Sequence, residues 1–247
     1  MKELLRSLND YKKELAELEK ELQILPQGSL IKRKNTYTHK IEKKEIVITK
    51  TPELICQLCR KKFLQAWKKQ YEYNLAIFGG KKGDYDQRTL KQIIQQLPPF
   101  YQDIPQEYFY HPTVKNWLNQ DYQKNKYKEE NLIYTTNNGI RVRSKSEQLI
   151  ANTLEEMGLP YRYDIQLPLK SVKIYPDFTI INPFNGKIFI WEHFGALNQP
   201  DYIENMNKKM TLYREKGYAE TDRIIYTFES DIRDPQHLKN LINKKIL

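Results

Sequence analysis

Apolar residues at the start of the chain recur at alternating steps of four and three: Leu4, Leu8, Tyr11, Leu15, Leu18, Leu22 and Leu25, with Lys and Glu between them. A seven-residue period of this kind predicts a helix over residues 2–25 carrying a coiled-coil seam, and hence a possible homo-oligomer through that segment. Pro26 and Gly28 stop the helix. Residues 30–49 alternate weakly and are rich in Ile, Val, Thr and Tyr, which predicts a β-hairpin: Leu30 to Tyr37 paired with a strand around Ile46 to Thr49. Thr51 and Pro52 then open a second helix, running to about Ile77, with Leu54, Leu58, Phe63, Trp67 and Tyr71 as its apolar positions. A looser connector over 81–130 carries a short helix from Asp86 to Leu97, a packed aromatic loop from Phe100 to Pro112 and a helix from Val114 to Tyr122.

The pattern changes at about residue 131. Ser144, with Glu147 three residues on, has the spacing of a capping box and predicts a helix through Leu149, Ile150, Leu154 and Met157. Strands follow at Tyr161–Leu169, Lys173–Ile181 and Lys187–Glu192, the last two joined by the turn Asn182-Pro183-Phe184-Asn185-Gly186. A helix from Tyr202 to Lys216, a strand from Arg223 to Phe228 and a helix near His237 to Leu241 complete the chain. The expected class is α/β, a mixed sheet flanked by helices with an αβββαβ core, behind an N-terminal helical coiled-coil and hairpin region. Three segments are expected: 1–80, a connector over 81–130, and a domain over 131–247.

Composition bears on partners. The formal net charge is +10, which suits a polyanion such as nucleic acid. Lys32, Arg33 and Lys34 on the hairpin, and Arg141, Arg143 and Lys145 around the Ser144 helix start, are the candidate phosphate contacts. No apolar run has the length of a membrane span, and the N-terminus lacks the apolar stretch of a signal peptide, so the expected compartment is the cytoplasm. Cys56 and Cys59 form a CxxC inside a helix with no second cysteine pair, and read as ordinary thiols. The basic loop Gly79 to Gly83 lacks the spacing of a phosphate-binding loop.

Asp177 and Glu192 are the candidate chemistry. They sit on adjacent strands joined by a tight turn, among Phe178, Ile180, Phe189, Ile190 and Trp191. Two carboxylates in such surroundings are costly unless a cation lies between them, and a hard divalent ion such as Mg²⁺ or Mn²⁺ takes oxygen ligands.

The Pro176-Asp177 pair, with Glu192 following 15 residues later, resembles the PD-(D/E)XK nuclease superfamily over about residues 131–247. That resemblance implies a restriction-endonuclease-like fold and metal-dependent hydrolysis of a phosphodiester, in DNA as substrate. Asp177, Glu192 and the His193 carbonyl would hold the metal, with Glu147 as a further acidic ligand. The family lysine two residues after the glutamate is Phe194 here, so the resemblance places it on the following helix, at Lys209 in preference to Lys208. His193 is expected to point across the strand from Glu192. Because of Phe194, a nuclease fold that binds without cutting is the alternative reading, and a coiled-coil scaffold is a third.

Overall fold

The computed structural model describes residues 8–86, 88–167, 172–195, 199–218, 223–232 and 234–247. The chain divides into two units, Met1–His111 and Pro112–Leu247. The connector expected over 81–130 is therefore shared between them. Its first part packs on the first unit through Tyr101 and Phe109, and Trp117 belongs to the second unit through Arg162.

In the first unit, α1 (Leu8–Ile24) lies antiparallel to α2 (Pro52–Phe78). Tyr11 packs edge-on against Tyr71 and Phe78, and Glu21 meets Arg60, so the start of α1 faces the end of α2. Tyr11 and Leu18 of the seven-residue seam are buried against the same chain, whereas Leu8 is largely exposed. Leu4 lies outside the described residues. Arg60, itself buried, holds both oxygens of Glu21 and the Phe109 carbonyl at 3.0 Å, tying α1, α2 and the aromatic stretch together. The hairpin expected from the sequence is instead a three-stranded antiparallel meander: β1 (Ser29–Arg33), β2 (Thr36–Ile41) and β3 (Lys44–Val47). Lys34 and Glu42 take left-handed backbone conformations at its two turns, which splits the segment into three strands rather than two. Gly28 admits no side chain: its φ is +87°, and a Cβ there would lie 2.2 Å from the Lys40 carbonyl oxygen.

The expected helix from Asp86 to Leu97 contracts to α3 (Leu90–Gln95), because Thr89 and Gln92 form a capping box that starts the helix at Leu90. The stretch expected as a loop after it contains α4 (Pro99–Gln102) and a 3-10 turn, Gln106–Phe109. Cys59 is fully buried, and burial pushes its thiol pKa well up, as for an inert core thiol.

The second unit opens with α5 (Pro112–Asn119) and a small hairpin, β4 (Tyr134–Thr135) with β5 (Arg141–Val142). Then come α6 (Lys145–Glu156), β6 (Tyr161–Tyr163), β7 (Phe178–Ile181), β8 (Ile188–Phe194), α7 (Pro200–Glu215), β9 (Ile224–Phe228) and α8 (Pro235–Lys245). The sheet order is β6-β7-β8-β9, antiparallel except for the parallel β8/β9 pair, whose connection contains α7. Side chains alternate across the sheet. Phe178, Ile180, Trp191 and Ile225 pack with Ile150 and Leu154 of α6 and Leu238 and Ile242 of α8. Ile190 and Ile224 face the other way, onto Tyr213 of α7. β6 is shorter than the expected strand because Asp164 has φ +50°, a left-handed conformation that ends the extended run. The expected strand start at Lys173 is likewise delayed to Phe178.

Candidate functional site

The β7–β8 turn fixes the site. Asn182 accepts the Phe184 and Asn185 amides on its side chain, and its own amide meets the Lys187 carbonyl at 2.8 Å. This locks Phe178 opposite Trp191, so the register carried one residue further sets Asp177 beside Glu192. The same row continues outward. Asp164 donates its amide to the Asp177 carbonyl at 3.0 Å, and Glu192 pairs in register with Tyr226.

Glu192 is 1% exposed. One of its oxygens, Oε2, accepts from Lys209 Nζ at 2.7 Å, and Oε1 accepts from the Tyr213 hydroxyl. Lys209 also donates to the Tyr175 carbonyl at 3.1 Å. Asp177 Oδ2 accepts the His193 amide at 2.7 Å. Burial pushes the Glu192 carboxyl up to about 8, and the like charge of Asp177 adds to this. Lys209 and Tyr213 act in the opposite direction, favouring the anion. Burial alone would lower Lys209, but the charges of Glu192 and Asp177 outweigh it and hold the ammonium above its ordinary range.

Glu147 completes the capping box of α6. Its Oε2 accepts from the Arg143 and Ser144 amides at 2.8 and 2.9 Å and from the Tyr163 hydroxyl at 3.0 Å. Its pKa is raised, first by burial and then by Asp177, so the Asp177 charge is felt by both glutamates. The residues expected at the site are thus distributed as follows. Asp177, Glu192 and Lys209 come together, with Glu147 coupled electrostatically to Asp177. The His193 ring lies on the opposite sheet face, with Nδ1 3.2 Å from Thr227 Oγ1 and Nε2 3.2 Å from Glu229 Oε1. Only its backbone amide reaches Asp177. Lys208 is 68% exposed and pairs with Glu204 at 2.6 Å.

The candidate phosphate contacts differ in availability. Arg143 is engaged within the fold by Asp164, by the Tyr127 carbonyl at 2.8 Å and by the Tyr163 hydroxyl at 3.4 Å. Arg141 and Lys145 are exposed beside it. In the first unit, Arg33 forks onto Glu45 at 2.8 Å, Lys32 meets Asp103 at 3.3 Å, and Lys34 is exposed.

Two further side chains join this cluster. Tyr213 stands four residues after Lys209, a spacing that puts both on one helix face. Asp164 joins the row only through the register of β6, which spacing does not reveal.

Asp177 and Glu192 carry oxygen donors of the kind that a hard divalent cation takes. Among the described residues no group of three or more His, Cys, Asp or Glu side chains is placed to hold an ion. Mg²⁺, however, commonly uses one or two carboxylates and keeps several waters. The raised pKa of Glu192 supplies a test. A folded carboxyl that keeps its proton to higher pH than the unfolded one stabilises fully below about 4.5, and that contribution is lost as pH rises toward about 8. In EDTA the melting temperature should therefore fall between about pH 5 and about pH 8, and Glu192→Gln should flatten the fall. A metal-free protein whose stability rises over that window would contradict this electrostatic assignment.

No protein-family profile matches this chain, and no solved structure matches it. An uncharacterized protein of Methanocaldococcus jannaschii is 30% identical over 90 residues, which is 36% of this chain and 8% of that protein.

Proposed function

We propose that the second unit is a Mg²⁺- or Mn²⁺-dependent nuclease that hydrolyses phosphodiesters, with DNA as its substrate. The observation that carries this reading is the contact of Lys209 Nζ with Glu192 Oε2 at 2.7 Å. It brings an ammonium from the next helix to the acidic pair where Phe194 offers none. The order of α6, β6, β7, β8, α7 and β9, with Asp177 and Glu192 on neighbouring strands, supports kinship with the PD-(D/E)XK nucleases.

Asp177 and Glu192 would hold the cation, which when bound lowers the pKa of water and stabilises charge on phosphorus. Lys209 positions the Glu192 carboxylate and offers an ammonium to the charge that develops during hydrolysis. Tyr213 fixes the other Glu192 oxygen, and the His193 amide fixes Asp177. The exposed Arg141 and Lys145, beside the start of α6, would receive backbone phosphates. The exposed cations of the β1–β3 sheet would add a salt-sensitive, sequence-independent contribution.

One observation favours binding without cleavage: both Glu192 oxygens are engaged by Lys209 and Tyr213. Incubating the protein with linear and circular DNA, and with RNA, in Mg²⁺ or EDTA separates the readings. Metal-dependent cleavage of DNA is expected. Retention of uncut DNA at low salt would favour the binding reading, and cleavage that survives EDTA would exclude the metal site.

A further inference from the structure

On the same sheet face as Asp177 and Glu192, one two-residue step along the strands, Arg162, Thr179 and Ile190 form a second row by the register of β6, β7 and β8. This row floors a cavity of about 490 Å³, walled by Trp117, Tyr122 and Arg223. Such a volume suits a small organic ligand.

The polar groups of this floor are only partly satisfied. Arg162 is 7% exposed, and its guanidinium is stacked between the rings of Trp117 and Tyr122, at 4.1 and 4.2 Å from their centroids. Its Nη2 donates to the Trp117 carbonyl and to the Gln120 carbonyl, the latter at 2.6 Å, which ties the end of α5 to the sheet. No carboxylate pairs with Arg162 among the described residues, and burial lowers its pKa. A guanidinium has five donors, and Nε and Nη1 make no hydrogen bond among the described residues. Thr179 is 3% exposed, lines the same cavity, and its buried Oγ1 has no hydrogen-bond partner. Leaving a hydroxyl buried and unpaired is costly, and so is burying a cation with no counter-charge. Both costs fall if an oxyanion enters. Among the described residues Asp121 is the one carboxylate in the lining, and it is exposed to solvent.

We propose that this cavity is an anion-binding site, taking a phosphate or carboxylate head on Arg162 and Thr179 and an apolar or aromatic body against Ile190 and the surrounding wall. The assignment stands apart from the nuclease reading, because it uses none of the acidic row.

Thermal shift and calorimetry on the full chain in EDTA test it, with deoxyadenosine monophosphate and benzoate as the phosphate and carboxylate probes and neutral deoxyadenosine as the control. At least one anion should bind and raise the melting temperature, and deoxyadenosine should not. Thr179→Val keeps the side-chain shape, so the variant should be at least as stable as wild type without ligand. It should bind the anion roughly tenfold more weakly, the worth of one hydrogen bond to a charged group. Arg162→Lys should weaken binding further, since an ammonium cannot hold both backbone carbonyls, stack between the two rings and still donate to the anion. Asp177→Asn should retain the anion. Equal binding of deoxyadenosine, no binding of either anion, or unchanged affinity in Thr179→Val would overturn the proposal. Loss of binding in Asp177→Asn would place the ligand on the acidic row and overturn it as well.

Discussion

Asp177→Asn is expected to reduce Mg²⁺-dependent cleavage by about a thousandfold, while leaving the metal-free protein as stable as wild type or more so. Asparagine keeps the shape of the side chain and an oxygen to accept the His193 amide, seen at 2.7 Å. What it removes is the negative charge. Losing a cation's contribution of several kcal/mol to the transition state corresponds to about three decades of rate. Without a cation, however, that charge is a burden, since Asp177 raises the pKa of both Glu147 and Glu192. Removing it relieves repulsion inside a partly closed site, the usual exchange between function and stability at a charged centre. Cleavage assays and melting in EDTA read the two effects separately. Undiminished cleavage would remove Asp177 from the chemistry. A large drop in metal-free stability would mean that its role is structural.

Lys209→Ala should lower cleavage by about a hundredfold or more, the scale of losing one charged stabilising group. It should also destabilise the protein, by up to about 3 kcal/mol once Glu192 is ionised, the low end for breaking a buried pair. Glu192 is 1% exposed and Lys209 30% exposed, so the side chain that loses its partner is the one that water cannot reach. Protonation limits the damage. Without Lys209 the Glu192 carboxyl titrates still higher, so the destabilisation should be small in mild acid and grow above about pH 8. Lys208→Ala is the internal control. Lys208 is 68% exposed and pairs only along its own helix with Glu204, so its loss should change stability by under about 0.5 kcal/mol. If the two lysine variants behave alike, the contact between α7 and β8 does not govern the site.

Much of the local structure was legible in the sequence. Ser144 and Glu147 form the capping box their spacing predicts, and the turn from Asn182 to Gly186 joins strands in a register that sets Asp177 beside Glu192. Alternation along β8 sends the His193 ring away from Glu192, toward Thr227 and Glu229. These features rest on residues a few positions apart, where covalent geometry leaves few choices.

Tertiary structure decided the rest. Spacing defines the seam of α1, but only the fold sets its Tyr11 against Tyr71 of α2 and buries Leu18. Arg143 stands at a helix start suited to phosphate, and only the fold shows that the left-handed turn at Asp164 presents a carboxylate to it. Lys208 and Lys209 are neighbours in sequence, and only the rotation of α7, set by packing Tyr213 against Ile190 and Ile224, sends one to Glu192 and the other to solvent. Spacing defines which residues share a helix face. Which face meets which strand depends on burial summed over segments far apart in the chain, and so appears only when the chain has folded.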